Sequence, residues 1–180
     1  SDLALSKVLD HRELKAPFNR RSPFYALLEF DALQVEEAEK AFEVCEKAAW
    51  VQDAVLSQTE NQSRKLWQLR EGISESIASY TPYKNDLSVR IEDVPEFLEE
   101  VDAYVAKSYP DFEVCWYGHI GDGNLHLNIL RPEKLSIEKF FELGHEMSPR
   151  IFDLVSNKRG SISAEHGVGL LKKDFLSFSR

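Results

Sequence analysis

The stretch Gly118-His119-Ile120-Gly121-Asp122-Gly123-Asn124-Leu125-His126-Leu127-Asn128 decides how the fold is read. An Asp-Gly dipeptide stands here between two runs of alternating character, which is the strongest short-range signal for a β-hairpin. With Asp122-Gly123 as a two-residue turn, Ile120 faces Leu125, Gly118 faces Leu127 and Trp116 faces Ile129, and this apolar face belongs to a core. The other face pairs His119 directly with His126, Tyr117 with Asn128 and Cys115 with Leu130. Directly opposed residues hold their Cβ atoms about 4.5–5.5 Å apart, so both imidazoles can reach one cation.

Outward from the hairpin, periodicity marks the remaining elements. Val94, Phe97, Leu98, Val101, Tyr104 and Val105 form a helical stripe before Pro110, and Ile137, Phe140, Phe141, Met147, Ile151, Leu154 and Val155 form another after the hairpin. A short strand is expected near residues 160–163. Upstream, Leu87, Val89 and Ile91 alternate as a strand, and Leu66, Leu69, Ile73, Ile77 and Tyr80 predict a helix ended by Pro82. Strands are expected at 24–30 and 51–57, flanking a helix whose stripe of Ala38, Ala41, Phe42, Cys45, Ala48 and Ala49 puts Cys45 in the core. Leu3, Leu5, Val8 and Leu9 start a short helix followed by a connector.

Strands and helices interleave, yet the hairpin demands antiparallel pairing and no phosphate-type glycine loop follows the first strand. A doubly wound nucleotide fold is therefore disfavoured. The order predicts an α+β domain with a ferredoxin-like antiparallel sheet and helices on one face.

Composition narrows the function classes. The 180 residues carry 22 Lys+Arg against 31 Asp+Glu, a net charge of −9, which argues against a phosphate-backbone binder and hence against nucleic acid. A 43% hydrophobic content is enough to fill a core, so the fold does not depend on disulfides, and Cys45 and Cys115 are too few for a disulfide framework. No apolar run approaches the roughly 20 residues that cross a bilayer, so no transmembrane segment is expected.

Two histidines alone make a weak metal site. A third donor is available from Ser161-Ile162-Ser163-Ala164-Glu165-His166-Gly167-Val168-Gly169, where a short strand leads Glu165 and His166 into a glycine-flanked turn. A two-His-one-carboxylate set leaves zinc, iron and manganese all open. On the residues alone, a non-redox metal- or carboxylate-binding module and a metal-dependent hydrolase stay open as well.

Taken together, GHIGDGNLHLN (118–128) and SAEHGVG (163–169) resemble the C-terminal substrate domain of FAD-linked 2-hydroxyacid dehydrogenases. SPFYALLE (22–29), LWQLREGI (66–73) and YKNDLS (83–88) extend the likeness from residue 22 to the end. It is greatest to members that oxidise D-2-hydroxyglutarate, with the D-lactate and glycolate oxidisers next. The resemblance implies the cap domain of a vanillyl-alcohol-oxidase-type flavoenzyme. Residues 1–22 would be a helix and linker from an N-terminal FAD domain of the same full-length chain, and residues 23–180 the substrate domain, cut short at its C-terminus.

The family's metal ligands fall on His119, His126 and Glu165, and its catalytic base on His166. Its substrate contacts fall on Arg70, Ser74, Lys84 and Asn128, with Ser74 replacing a threonine of the hydroxyglutarate members. The implied cofactors are FAD and a divalent transition metal, zinc ahead of manganese or iron. The implied partners are a 2-hydroxy acid, the FAD domain, an electron acceptor and a second copy in a homodimer. The implied compartment is the bacterial cytoplasm or the mitochondrial matrix. Alone, the chain is expected to be inactive.

Overall fold

The computed structural model describes residues 1–164, in two compact units: Asp2 with Ala4–Ile73, and Ser1, Leu3 and the chain from Ser74 onward.

The first unit opens with α1 (Asp2–Arg12), which buries Ala4 and Val8. The Asp2 carboxylate accepts hydrogen bonds from Arg21 Nε at 2.8 Å and Tyr25 Oη at 3.0 Å, tying the connector back to the helix. The Arg21 hydrogen bond holds that carboxyl below its usual range. Next come α2 (Val35–Lys47) and α3 (Glu60–Glu71), where Thr59 Oγ1 caps α3 by accepting from the Gln62 amide at 3.2 Å.

Three expectations need correction over residues 24–80. Residues 24–30 and 51–57 join no strand ladder, and Phe24 and Leu28 are 52% and 74% exposed. Strand propensity yields a strand only where a partner edge completes the hydrogen bonds, and these segments find none among the described residues. On α2, Ala38, Phe42 and Cys45 share a face but are only half-buried. The helix expected over residues 66–80 begins earlier and breaks at Gly72, giving α3, a single turn α4 (Ile73–Ser76) and a 3-10 turn at Ala78–Tyr80.

The second unit is built as β1 (Tyr83–Ser88), α5 (Val94–Ser108), β2 (Glu113–His119), β3 (Asn124–Leu130) and α6 (Ile137–Asn157). The sheet order is β1-β3-β2, with β3 antiparallel to both neighbours, so β1 and β2 run parallel on either side of it. That is a split β-α-β arrangement. On the free edge of β1, Ser88 and Ser161 exchange two backbone hydrogen bonds of 2.9 Å. The strand expected near 160–163 is thus a single bridge at the position of a fourth strand. Strand β1 also begins earlier than its apolar alternation suggests, and Ile91 stands 52% exposed in a 3-10 turn after it.

Both long helices cover one sheet face. Leu87, Leu125, Leu127, Ile129 and Trp116 from the strands pack with Phe97, Val101 and Val105 of α5 and with Phe140, Met147, Ile151 and Phe152 of α6. Complete removal of such side chains from water stabilises by about 1.5–3 kcal/mol each, so this cluster holds the unit together. Two polar contacts are set into it. The Trp116 indole N–H donates to Asp102 Oδ1 at 2.7 Å, and Tyr83 Oη lies 2.8 Å from Ser148 Oγ. Burial pushes the Asp102 carboxyl up, against the opposing pull of the Trp116 hydrogen bond, and it raises the Tyr83 phenol likewise. Gly144 admits the Tyr83 ring onto α6, because a Cβ there would lie 2.7 Å from it.

Candidate active site

Alternation along three strands leaves the opposite sheet face polar. Lys84, Asp86 and Ser88 come from β1, Asn124, His126 and Asn128 from β3, and Cys115, Tyr117 and His119 from β2. In the ladder, Tyr117 pairs with His126, Cys115 with Asn128 and His119 with Asn124. This corrects the expected register by two residues. Asp122 and Gly123 do not form a two-residue turn by themselves. Residues Ile120–Asp122 form a 3-10 turn, and Gly123, at φ +72°, returns its N–H to the Ile120 carbonyl at 3.3 Å. Asp122 Oδ1 also accepts from the Asn124 amide at 3.1 Å, drawing the loop closed one step further along β3. Ile120 consequently leaves the ladder and stands 50% exposed.

An even slip preserves sidedness, so the histidines still share a face. They are diagonal neighbours, with ring centroids 5.7 Å apart and planes at 87°. An imidazole bound to a cation at about 2.1 Å has its centroid about 3.2 Å away, so two rings can share one ion only when their centroids lie within about 6.4 Å. His119 and His126 satisfy that condition. Among the described residues no three His, Cys, Asp or Glu side chains gather into a metal-holding group. Glu165 and His166, the other residues expected at this centre, lie outside the described residues.

The surroundings of His126 are specific. The Tyr117 ring lies 5.0 Å from its own, and Asp86 Oδ1 lies 3.4 Å from its Nδ1. Asn128 is 1% exposed. Its Nδ2 donates to the His126 carbonyl at 3.1 Å, while its Oδ1 finds no hydrogen-bond partner among the described residues. A buried amide oxygen without a partner is costly, and such groups mark places where a ligand or water completes the bonding. Lys84 Nζ donates to Ser74 Oγ at 3.5 Å, so two expected substrate-binding residues do come together. Arg70 lies half-buried in the last turn of α3, within the first unit.

Asp86 and Tyr117 were not singled out from the sequence. Tyr117 was legible as a face-mate of both histidines. Asp86 was not, since its place beside His126 depends on β1 pairing with β3.

Comparison with known proteins supplies the context. The chain is 54% identical to a D-2-hydroxyglutarate dehydrogenase of Stutzerimonas stutzeri and 47% identical to one of Xanthomonas citri, over 100% of this chain and 39% of each relative. A putative mitochondrial D-lactate dehydrogenase of Schizosaccharomyces pombe is 36% identical over 91% of this chain and 33% of that protein. The chain therefore spans well under half the length of these relatives. Among the described residues no helix is long and apolar enough to cross a membrane. The family model described as FAD linked oxidases, C-terminal domain, matches residues 2–180, and with nearly its whole length so matched the chain belongs to that family.

Proposed function

We propose that this chain is the substrate-binding part of a flavoenzyme that oxidises a D-2-hydroxy acid, 2-hydroxyglutarate foremost, to the 2-oxo acid. The observation that carries the reading is the polar sheet face, where the His119 and His126 rings lie 5.7 Å apart beside Asn128 Oδ1, which has no hydrogen-bond partner among the described residues. FAD, held by the remainder of the full-length protein, supplies the hydride acceptor. His119 and His126, joined by Glu165, would hold a divalent cation, zinc first, which supplies Lewis-acid polarisation of the hydroxyl.

The roles of this chain's own residues follow from their chemistry. His166 accepts the hydroxyl proton, as the side chain whose ordinary pKa lies nearest neutrality. Asn128 orients the substrate through its amide. Arg70 grips a carboxylate with a planar fork, while Lys84, steadied by Ser74, contributes a point charge. The names of the relatives favour the hydroxyglutarate reading, and the D-lactate name of the fission-yeast protein keeps a monocarboxylate substrate as the second one. The compartment that goes with this reading is the bacterial cytoplasm or the mitochondrial matrix, and the fission-yeast relative is named as mitochondrial.

Steady-state oxidation of D-2-hydroxyglutarate, D-lactate and glycolate by the full-length enzyme tests the proposal. The highest kcat/KM is expected for hydroxyglutarate, and His126→Ala is expected to lower it at least about a hundredfold. Turnover of none of the three by the wild type, or unchanged turnover in the variant, overturns it.

A further inference from the structure

We propose that Asp86 is a positioning residue for His126, holding the imidazole through Nδ1 so that Nε2 faces the ligand. The inference rests on the reading of the histidine pair as a cation site. In the β1–β3 ladder Asp86 is directly opposite His126, so both side chains rise from the same face at adjacent positions. Both are mostly withdrawn from water, with side-chain exposures of 15% for His126 and 13% for Asp86. The Nδ1···Oδ1 separation of 3.4 Å is an ion-pair contact longer than a hydrogen bond, and Asp86 Oδ1, buried, makes no hydrogen bond among the described residues, so the carboxylate stands beside Nδ1 with its acceptor oxygen unused there.

Asp86 differs from an ordinary strand carboxylate in what surrounds it. Lys84, two positions away on the same face of β1, donates to Ser74 Oγ at 3.5 Å. The His126 ring has the Tyr117 ring at 5.0 Å and the His119 ring at 5.7 Å. With Asp86 accepting from Nδ1–H, one tautomer is selected and Nε2 is left as the donor nitrogen. A carboxylate on the distal nitrogen fixes ring orientation and makes the ligating nitrogen more basic, and loss of such a partner typically weakens metal binding 10–100-fold. This role is open to Asp86 but not to Ser88 or Lys84, which pair with Asn124 and Asn128.

The test compares four forms of the full-length enzyme: wild type, His126→Ala, Asp86→Ala and Asp86→Asn. Zinc affinity is read by competition with a chelator, and ligand geometry by the visible d–d bands of the cobalt(II)-substituted proteins. Asp86→Ala is expected to weaken zinc binding about 10–100-fold and to shift the cobalt bands. Asp86→Asn keeps an acceptor oxygen without its charge, and is expected to lose less than about tenfold while still shifting the bands. If Asp86→Ala does not fold, the Asn variant decides alone. Loss of metal in His126→Ala, together with wild-type affinity and unchanged bands in the Asp86 variants, overturns the positioning role and leaves the cation site standing. Equal metal content in wild type and His126→Ala overturns the cation site itself, and the inference with it.

Discussion

His119 and His126 face the same side of the sheet without being cross-strand partners: Asn124 stands opposite His119, Tyr117 stands opposite His126, and the two imidazoles meet edge to face at 5.7 Å. The two rings therefore differ in setting. His119 is exposed at the end of β2, whereas His126 is walled in by Tyr117 and Asp86.

That asymmetry predicts unequal effects on metal binding. Loaded identically and measured by elemental analysis, full-length His126→Ala should retain less than about a tenth of the wild-type metal if, as proposed, His126 is the pre-oriented donor. His119→Ala should lose metal less completely, since water can replace an exposed ligand. Identical content in all three proteins would contradict this.

Arg70→Ala should separate dicarboxylate from monocarboxylate substrates. If Arg70 receives the distal carboxylate of hydroxyglutarate, the variant loses hydrogen bonds to a charged group worth roughly 1.5–3 kcal/mol, or about one to two decades in kcat/KM. Lactate has no such carboxylate and should be affected less than about threefold. Comparable losses for both would assign Arg70 to the carboxylate that the substrates share.

Gly123 closes the hairpin in the left-handed region, at φ +72°, and a Cβ there would lie 2.0 Å from the Val89 carbonyl oxygen. Gly123→Ala should therefore destabilise by about 2–4 kcal/mol, combining backbone strain with a clash against main chain that cannot rotate away. Urea denaturation checks this, a midpoint unchanged from wild type being the contrary result.

Asp102 predicts a pH effect of definite sign. Burial raises its folded-state pKa above the unfolded value, so the fold favours the protonated acid. Its contribution is fully present below the unfolded pKa and is lost as pH rises through the folded one, leaving a penalty at neutrality. Asp102→Asn removes the charge and keeps an acceptor for the Trp116 indole. Stability at pH 7 should rise, and the fall in stability as pH climbs above the ordinary carboxylate range should flatten, as followed by denaturation from acid to neutral pH. A lower midpoint at pH 7 would show that the ionised carboxylate is favourable there.

Much of this molecule was legible in its residues. The stripes of α5 and α6 report a helical face meeting a sheet, because burial demands apolar residues every three or four positions. The alternation around Asp122-Gly123 placed both histidines on the polar side of a hairpin, and strand pleating is local enough to be read from spacing alone. Motifs on that hairpin and near residue 165 pointed to the family that the comparisons show.

Tertiary structure decided the rest. The hairpin register goes with a loop hydrogen bond donated by the Gly123 amide to Ile120 and one accepted by the Asp122 side chain from the Asn124 amide, which a dipeptide rule does not include. Residues 24–30 and 51–57 have strand composition but join no ladder among the described residues, since pairing belongs to two segments and not to one. Asp86 came to stand beside His126 only because β1, some 40 residues earlier in the chain, docks against β3 rather than β2. Local sequence specifies which face a side chain takes, whereas its neighbours across that face are set by long-range strand order, which depends on how the whole apolar surface is buried at once.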